Sequence, residues 1–188
     1  GNIMRTFLTS IAAFGLMSAA ACSAAESPDN VAEASPVATP APAPEKSEIV
    51  RHKIPGSDFP ILVAVEVPAD ATLVYLSGTV PKALETTDTE EGASPVFGDT
   101  KAQTETTFAS IAAKLDSIGL SMSDVIKVQV YLVRPEGASS MDFAGFMEGY
   151  VQFFGTQEQP NLPTRSVFEV AGLANPAWLV EIEVVAVR

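Results

Sequence analysis

Cysteine, histidine and tryptophan each occur once in this chain of 188 residues. A single cysteine excludes a disulfide within the chain, and one His with one Cys cannot assemble a usual zinc cage. Basic residues are scarce, 11 against 23 acids, for a formal charge of −12. All 23 acids lie beyond residue 25, where the one base before them, Arg5, is left behind, so that body carries −13. Phosphate repulsion makes such a body a poor binder of nucleic acid. What is plentiful is apolar content, 47% of residues, enough for one core in a length that allows one ordinary domain with extensions.

Gly1-Asn2-Ile3, ahead of Met4, read as a cloning scar or a misjudged upstream start. From Met4 the chain runs through Arg5, an apolar stretch Phe7 to Met17, and the small residues Ser18-Ala19-Ala20-Ala21 to Cys22. That stretch falls short of the ~20 apolar residues that span a bilayer, and the order of charge, apolar run and small residues is that of a secretory signal. Residues 1–22 are therefore expected to be scar plus signal peptide. Ala20-Ala21-Cys22 fits a lipobox lacking its usual Leu, which would put a lipid on Cys22 and make the chain an exported, membrane-anchored lipoprotein. Cleavage after Ala25, giving a soluble periplasmic protein, is the other expectation. Residues 23–46 hold five Pro and seven Ala and almost nothing large, too little apolar surface to offset ordering entropy. They are expected to be a disordered linker, reaching ~75 Å if fully extended.

Residues 47–188 read as the folded domain. Ile49 to Ile54, Ile61 to Val67 and Thr72 to Ser77 are short β-rich runs. Five acids between Glu85 and Asp99 mark a solvated loop rather than a metal site. Asp99 or Thr100 then caps a helix carrying Phe108, Ile111, Ala112, Leu115 and Ile118 at helical spacing, ended by Gly119. Val125 to Val133 is a strand whose Ile126, Val128, Val130 and Leu132 share a face. Ser139 or Ser140 opens a second helix, with an aromatic stripe (Phe143, Phe146, Tyr150, Phe153, Phe154) that reads as core, before Gly155. Thr164 to Ala171 and Trp178 to Val187 complete the order β-β-β-α-β-α-β-β. The expected fold is α+β, a six-stranded sheet with two helices on one face. The other face stays apolar and needs a partner, for which a second copy of the chain is the economical choice.

Few polar residues interrupt the strands. Arg165, Val167 and Glu169 share one face of their strand, and Glu181 and Glu183 share one face of theirs. If these two strands pair as a hairpin, half of the registers bring Arg165 beside Glu181 or Glu183. A guanidinium beside a carboxylate can grip a substrate carboxylate bidentately, or it can be a structural ion pair; spacing does not choose. His52, near the start of the body, reads as a surface residue.

Leu73-Val74-Tyr75-Leu76-Ser77-Gly78-Thr79-Val80-Pro81, then Gln103 with Ala112, Leu115 and Gly119, then Pro163-Thr164-Arg165-Ser166 and Val180-Glu181-Ile182-Glu183-Val184-Val185-Ala186-Val187 resemble the RidA/YjgF (Rid) family. The resemblance runs in chain order from about residue 60 to 188. It implies a chorismate-mutase-like fold, a homotrimer with clefts between subunits, and hydrolytic deamination of small 2-imino or enamine acids to 2-keto acids and ammonia, without metal or organic cofactor. Arg165 matches the arginine that binds the substrate carboxylate, Glu181 the glutamate that positions water, and Ser77 and Gly78 the cleft-lining pair. The family's cleft tyrosine falls near Ile61 here, its cysteine after the arginine is Val167, and an asparagine on the second helix is Met147. These departures mark a divergent member. They leave open an alternative, a non-catalytic trimer that binds small carboxylates or partners in its clefts.

Overall fold

The computed structural model describes residues 48–84 and 94–188. The expected signal (1–22) and linker (23–46), and residues 85–93 of the acidic stretch, lie outside the described residues. The elements are β1 (Val50–Lys53), β2 (Leu62–Glu66), β3 (Leu73–Thr79), α1 (Thr100–Asp116), a 3-10 turn (Met122–Asp124), β4 (Val125–Val133), α2 (Phe143–Tyr150), β5 (Thr164–Val170) and β6 (Val180–Val187). Class and order agree with the sequence; two features of the sheet do not.

The first is its continuity. β1 and β2 form a two-stranded antiparallel sheet of their own, and the other four strands form a second sheet in the order β3-β6-β4-β5. The Leu62 N–H donates to the Pro163 carbonyl at 3.0 Å, beside the start of β5, but no ladder follows. Pro60 and Pro163 flank that point and have no N–H with which to continue it.

The second is the neighbour of β6. The β5–β6 hairpin that the sequence left open does not form, because β4 lies between the two strands, parallel to β5 and antiparallel to β6. α2 supplies the long crossover that parallel β4 and β5 require. β6 pairs on its other side with β3. Arg165 is opposite Val128, which is opposite Val184, which is opposite Leu76. Glu181 is instead opposite Tyr131, which is opposite Phe168. Partners across a ladder share a face, so the two rows lie on opposite faces.

One face is the core. Val128, Val130 and Leu132 of β4 and Val180, Ile182, Val184 and Ala186 of β6 are buried there with Phe108, Ile111 and Leu115 of α1. Asp99 caps α1, its Oδ1 accepting from the Ala102 N–H at 2.9 Å. α1 also buries Thr104, Thr107 and Ser110, whose hydroxyls donate to carbonyls one turn back at 2.7–2.8 Å and so avoid unsatisfied burial. α2 is capped by Asp142 rather than Ser139 or Ser140, Oδ1 accepting from the Gly145 N–H at 2.9 Å. It ends at Tyr150, short of Gly155, yet Phe154 is still buried against the core. The helices meet closely at Gly149: a Cβ there would lie 2.8 Å from the Thr104 Cβ and 3.2 Å from the Lys101 carbonyl.

Candidate functional site

Arg165 is the second residue of β5, an edge strand, and its row turns it toward α2. Four aromatic rings surround its guanidinium carbon: Tyr150 at 4.3 Å, Phe146 at 5.3 Å, Phe59 at 5.4 Å and Phe143 at 5.8 Å. Each is within the range of cation–π attraction. Nη1 is buried without a hydrogen-bond partner. Among the described residues no acid forms an ion pair with Arg165. Burial pulls this guanidinium below the ordinary arginine value, partly offset by the neighbouring Tyr150. Burial likewise pushes the Tyr150 phenol above its ordinary value, so Tyr150 remains neutral and is no counter-ion. Its hydroxyl donates to the Pro60 carbonyl at 2.9 Å, which ties the segment bearing Phe59 to α2. A half-buried cation with rings around it and no acidic partner among the described residues has hydrogen-bonding capacity that an external anion could fill.

Val167, two residues along β5, has Arg165's face and packs against the core. Glu169, on that face as well, is instead held by Arg134 and by the Met141 N–H at 2.7 Å. The Arg134 hydrogen bond, with help from that N–H, lowers the Glu169 carboxyl below its usual range. Ile61, where the family's cleft tyrosine was expected to fall, has an aliphatic side chain that can offer no hydroxyl. It lines a cavity of about 140 Å³ with Phe59, Ile54 and Leu162.

Glu181 lies on the opposite face with Glu183. It borders an open cavity of about 290 Å³ with Tyr131, Val170, Gly172 and Leu173. Gly78 sits where β3 departs from regular pairing with β6, between Leu76 and Thr79. A Cβ on Gly78 would overlap the Glu181 Oε1 and lie 3.0 Å from its Cδ. Gly78 is thus brought to Glu181, whereas Arg165 is not. The expectation that Arg165 and Glu181 share a face within one chain is corrected by β4, whose insertion places an even-numbered row of β6 on Arg165's side.

A family model described as Endoribonuclease L-PSP matches residues 63–188. The chain belongs to the RidA/YjgF (Rid) family. TdcF of Escherichia coli strain K12, named a candidate reactive intermediate deaminase, is 32% identical over 143 residues, covering 76% of this chain and 98% of its own. A Salmonella typhimurium protein named 2-iminobutanoate/2-iminopropanoate deaminase is 29% identical over 140 residues, covering 74% of this chain and 96% of its own. The solved structure of the Rid-family protein YyfB from Yersinia pestis superposes with a TM-score of 0.55 at 22% identity, covering 73% of this chain and 97% of that one; it shares the fold.

Within this Rid-family chain, sequence reasoning missed Phe59 altogether and assigned Phe143, Phe146 and Tyr150 to the core alone. Phe146 and Tyr150 are indeed fully buried. Their second role, as the bed of the guanidinium, has no periodic signature.

Proposed function

We propose that this protein hydrolyses small 2-imino acids to 2-keto acids and ammonia in clefts between subunits of a homotrimer. The observation that carries this reading is Arg165, a ring-bedded guanidinium with no anion of its own. Its partner in chemistry, Glu181, lies on the other sheet face, so a cleft using both takes Arg165 from one subunit and Gly78 with Glu181 from a neighbour. The Glu181 face supports such a junction: Tyr75 and Phe168 stand exposed on it, at 73% and 50%. Isolated exposed aromatics are ordinary, but a face of them beside a carboxylate favours coverage by a second copy.

In that cleft Arg165 holds the carboxylate of the imino acid through its fork. The Glu181 carboxylate takes a proton from water as the water oxygen bonds to the C=N carbon, and the π pair moves to nitrogen. Glu181 hands that proton to the nitrogen to give the neutral carbinolamine. It then takes the hydroxyl proton and passes it to nitrogen as well, so ammonia leaves with the C–N pair, the C=O bond of the keto acid forms and Glu181 ends as carboxylate. The imine is already electrophilic, so positioning and one proton acceptor suffice. The ribonuclease description of the family is not carried over, because a charge of −13 in the body repels RNA. Loss of a cleft tyrosine and an asparagine, at Ile61 and Met147, favours a second reading, a carboxylate-binding trimer without catalysis.

The test is ammonia and keto-acid release from freshly generated imino acids. Arg165→Ala should raise KM and lower kcat/KM most, and Glu181→Gln should lower kcat more than binding. Equal rates in wild type and both variants, all above buffer, would place the chemistry elsewhere. No acceleration by wild type, with keto acids still bound, would leave the carboxylate-binding reading.

A further inference from the structure

Of the four rings around Arg165, two are spent on the core and two are not. Phe146 and Tyr150 are fully buried, whereas Phe59 is 42% and Phe143 37% exposed. Phe59 comes from the segment joining β1 and β2; Phe143 opens α2. Both positions are fixed. The Phe59 N–H donates to the Ser57 hydroxyl at 3.1 Å, and the next residue's carbonyl accepts from Tyr150. Phe143 follows the Asp142 cap, and the preceding Met141 N–H is bound to Glu169. Two separate elements thus hold apolar side chains at the rim of a half-buried cation, with Phe59 and Phe143 each partly open to water. Water on these rings is unfavourable, and an apolar group laid over them would displace it.

A carboxylate gripped by the Arg165 fork carries its α-substituent only two bonds away. Ring centroids 5.4 and 5.8 Å from the guanidinium carbon lie within reach of that substituent. A methyl group covers little of either ring; a branched or aromatic group covers both. A charged side chain would lose its hydration against them.

We propose that Phe59 and Phe143 form a side-chain wall beside Arg165 and make this site selective for 2-imino and 2-keto acids with a bulky apolar side chain, aromatic ones above all. This rests on Arg165 as the carboxylate clamp, but not on turnover. It gives Phe59, rather than Ile61, the place in the cleft that a substrate side chain meets.

The experiment is calorimetric titration of the full-length protein with pyruvate, 4-methyl-2-oxopentanoate and phenylpyruvate. It compares wild type, Phe59→Ala, Phe143→Ala and Arg165→Ala, with the mass of each measured by light scattering. Wild type should bind phenylpyruvate at least tenfold tighter than pyruvate, and each Phe→Ala change should shrink that ratio by roughly tenfold. Arg165→Ala should lose all three ligands. A wild-type ratio near one, or a ratio untouched in both Phe variants, overturns the proposal. So does a drop in mass on replacing either ring, which would assign the rings to a subunit contact, and so does the absence of binding by any of the three acids. Absence of imine hydrolysis alongside the expected binding ratios would retire the deaminase reading and leave this one standing.

Discussion

Replacing Arg165 with methionine should make the empty protein more stable and the ligand-bound protein less so. The guanidinium is half-buried with Nη1 unsatisfied and without an acidic partner, a state whose desolvation costs several kcal/mol when fully dry and less here, since part of the side chain meets water. Attraction to the four rings returns roughly 2 kcal/mol. A methionine side chain fills similar space, keeps contact with the rings and needs no anion. The net gain should be about 1 kcal/mol, which for a domain of this size raises Tm by about 2–4 °C. With a 2-keto acid at a hundred times its Kd, the wild type should gain about 2.7 kcal/mol and the variant nothing. The order of the two melting temperatures should therefore reverse between empty and saturated protein. Scanning calorimetry at one fixed protein concentration reads both numbers, which matters because assembly also shifts Tm. A variant that melts below wild type without ligand would refute the idea that Arg165 is an uncompensated cation.

Three further outcomes follow from other contacts. Gly78→Ala should displace the Glu181 carboxylate, because the added methyl would overlap its Oε1; turnover should fall tenfold or more while carboxylate binding, read by calorimetry, falls far less. Glu169 has a lowered carboxyl, so its contribution to stability is full above the ordinary value of 4.5 and is lost as pH falls through the lowered folded value; Glu169→Gln should flatten that part of the Tm-against-pH curve, and an unchanged curve would count against the Arg134 and Met141 contacts as its source. Cys22→Ala should release the protein from the membrane fraction if Cys22 carries lipid, and a wild type already found in the periplasmic fraction would leave plain export instead.

Strand β4 was legible to the residue, since Ile126 to Val133 alternates after a register shift at its start and no proline or glycine interrupts it. α1 was legible through Asp99 and the spacing of Phe108, Ile111 and Leu115; its buried Thr104 and Thr107 carried no such signal. Strand pairing was not legible. Side-chain parity tells which residues of one strand share a face, but the faces of two strands are related only through whatever lies between them. With β4 inserted, Arg165 fell into the row of Val184 rather than that of Glu181. Asp142 was overlooked as a cap because Ser139 and Ser140 satisfy the same side-chain rule three and two residues earlier. Phe59 carried no signal: an aromatic in an irregular segment belongs to no period, and only the fold reveals that its ring lies by a guanidinium.

The position of β6 has a kinetic consequence. The last strand in the chain is an interior strand of the four-stranded sheet, bonded to β3 on one side and β4 on the other. Leu73 meets Val187 and Val74 meets Ala186, pairs about 110 residues apart in sequence. Until Val180–Val187 has emerged from the ribosome, β3 has no strand to pair with in this sheet and one edge of β4 stays open. The domain should therefore fold late and slowly for its size, with sticky edges shown to chaperones meanwhile, and a nascent chain stalled before Val180 should remain sensitive to protease.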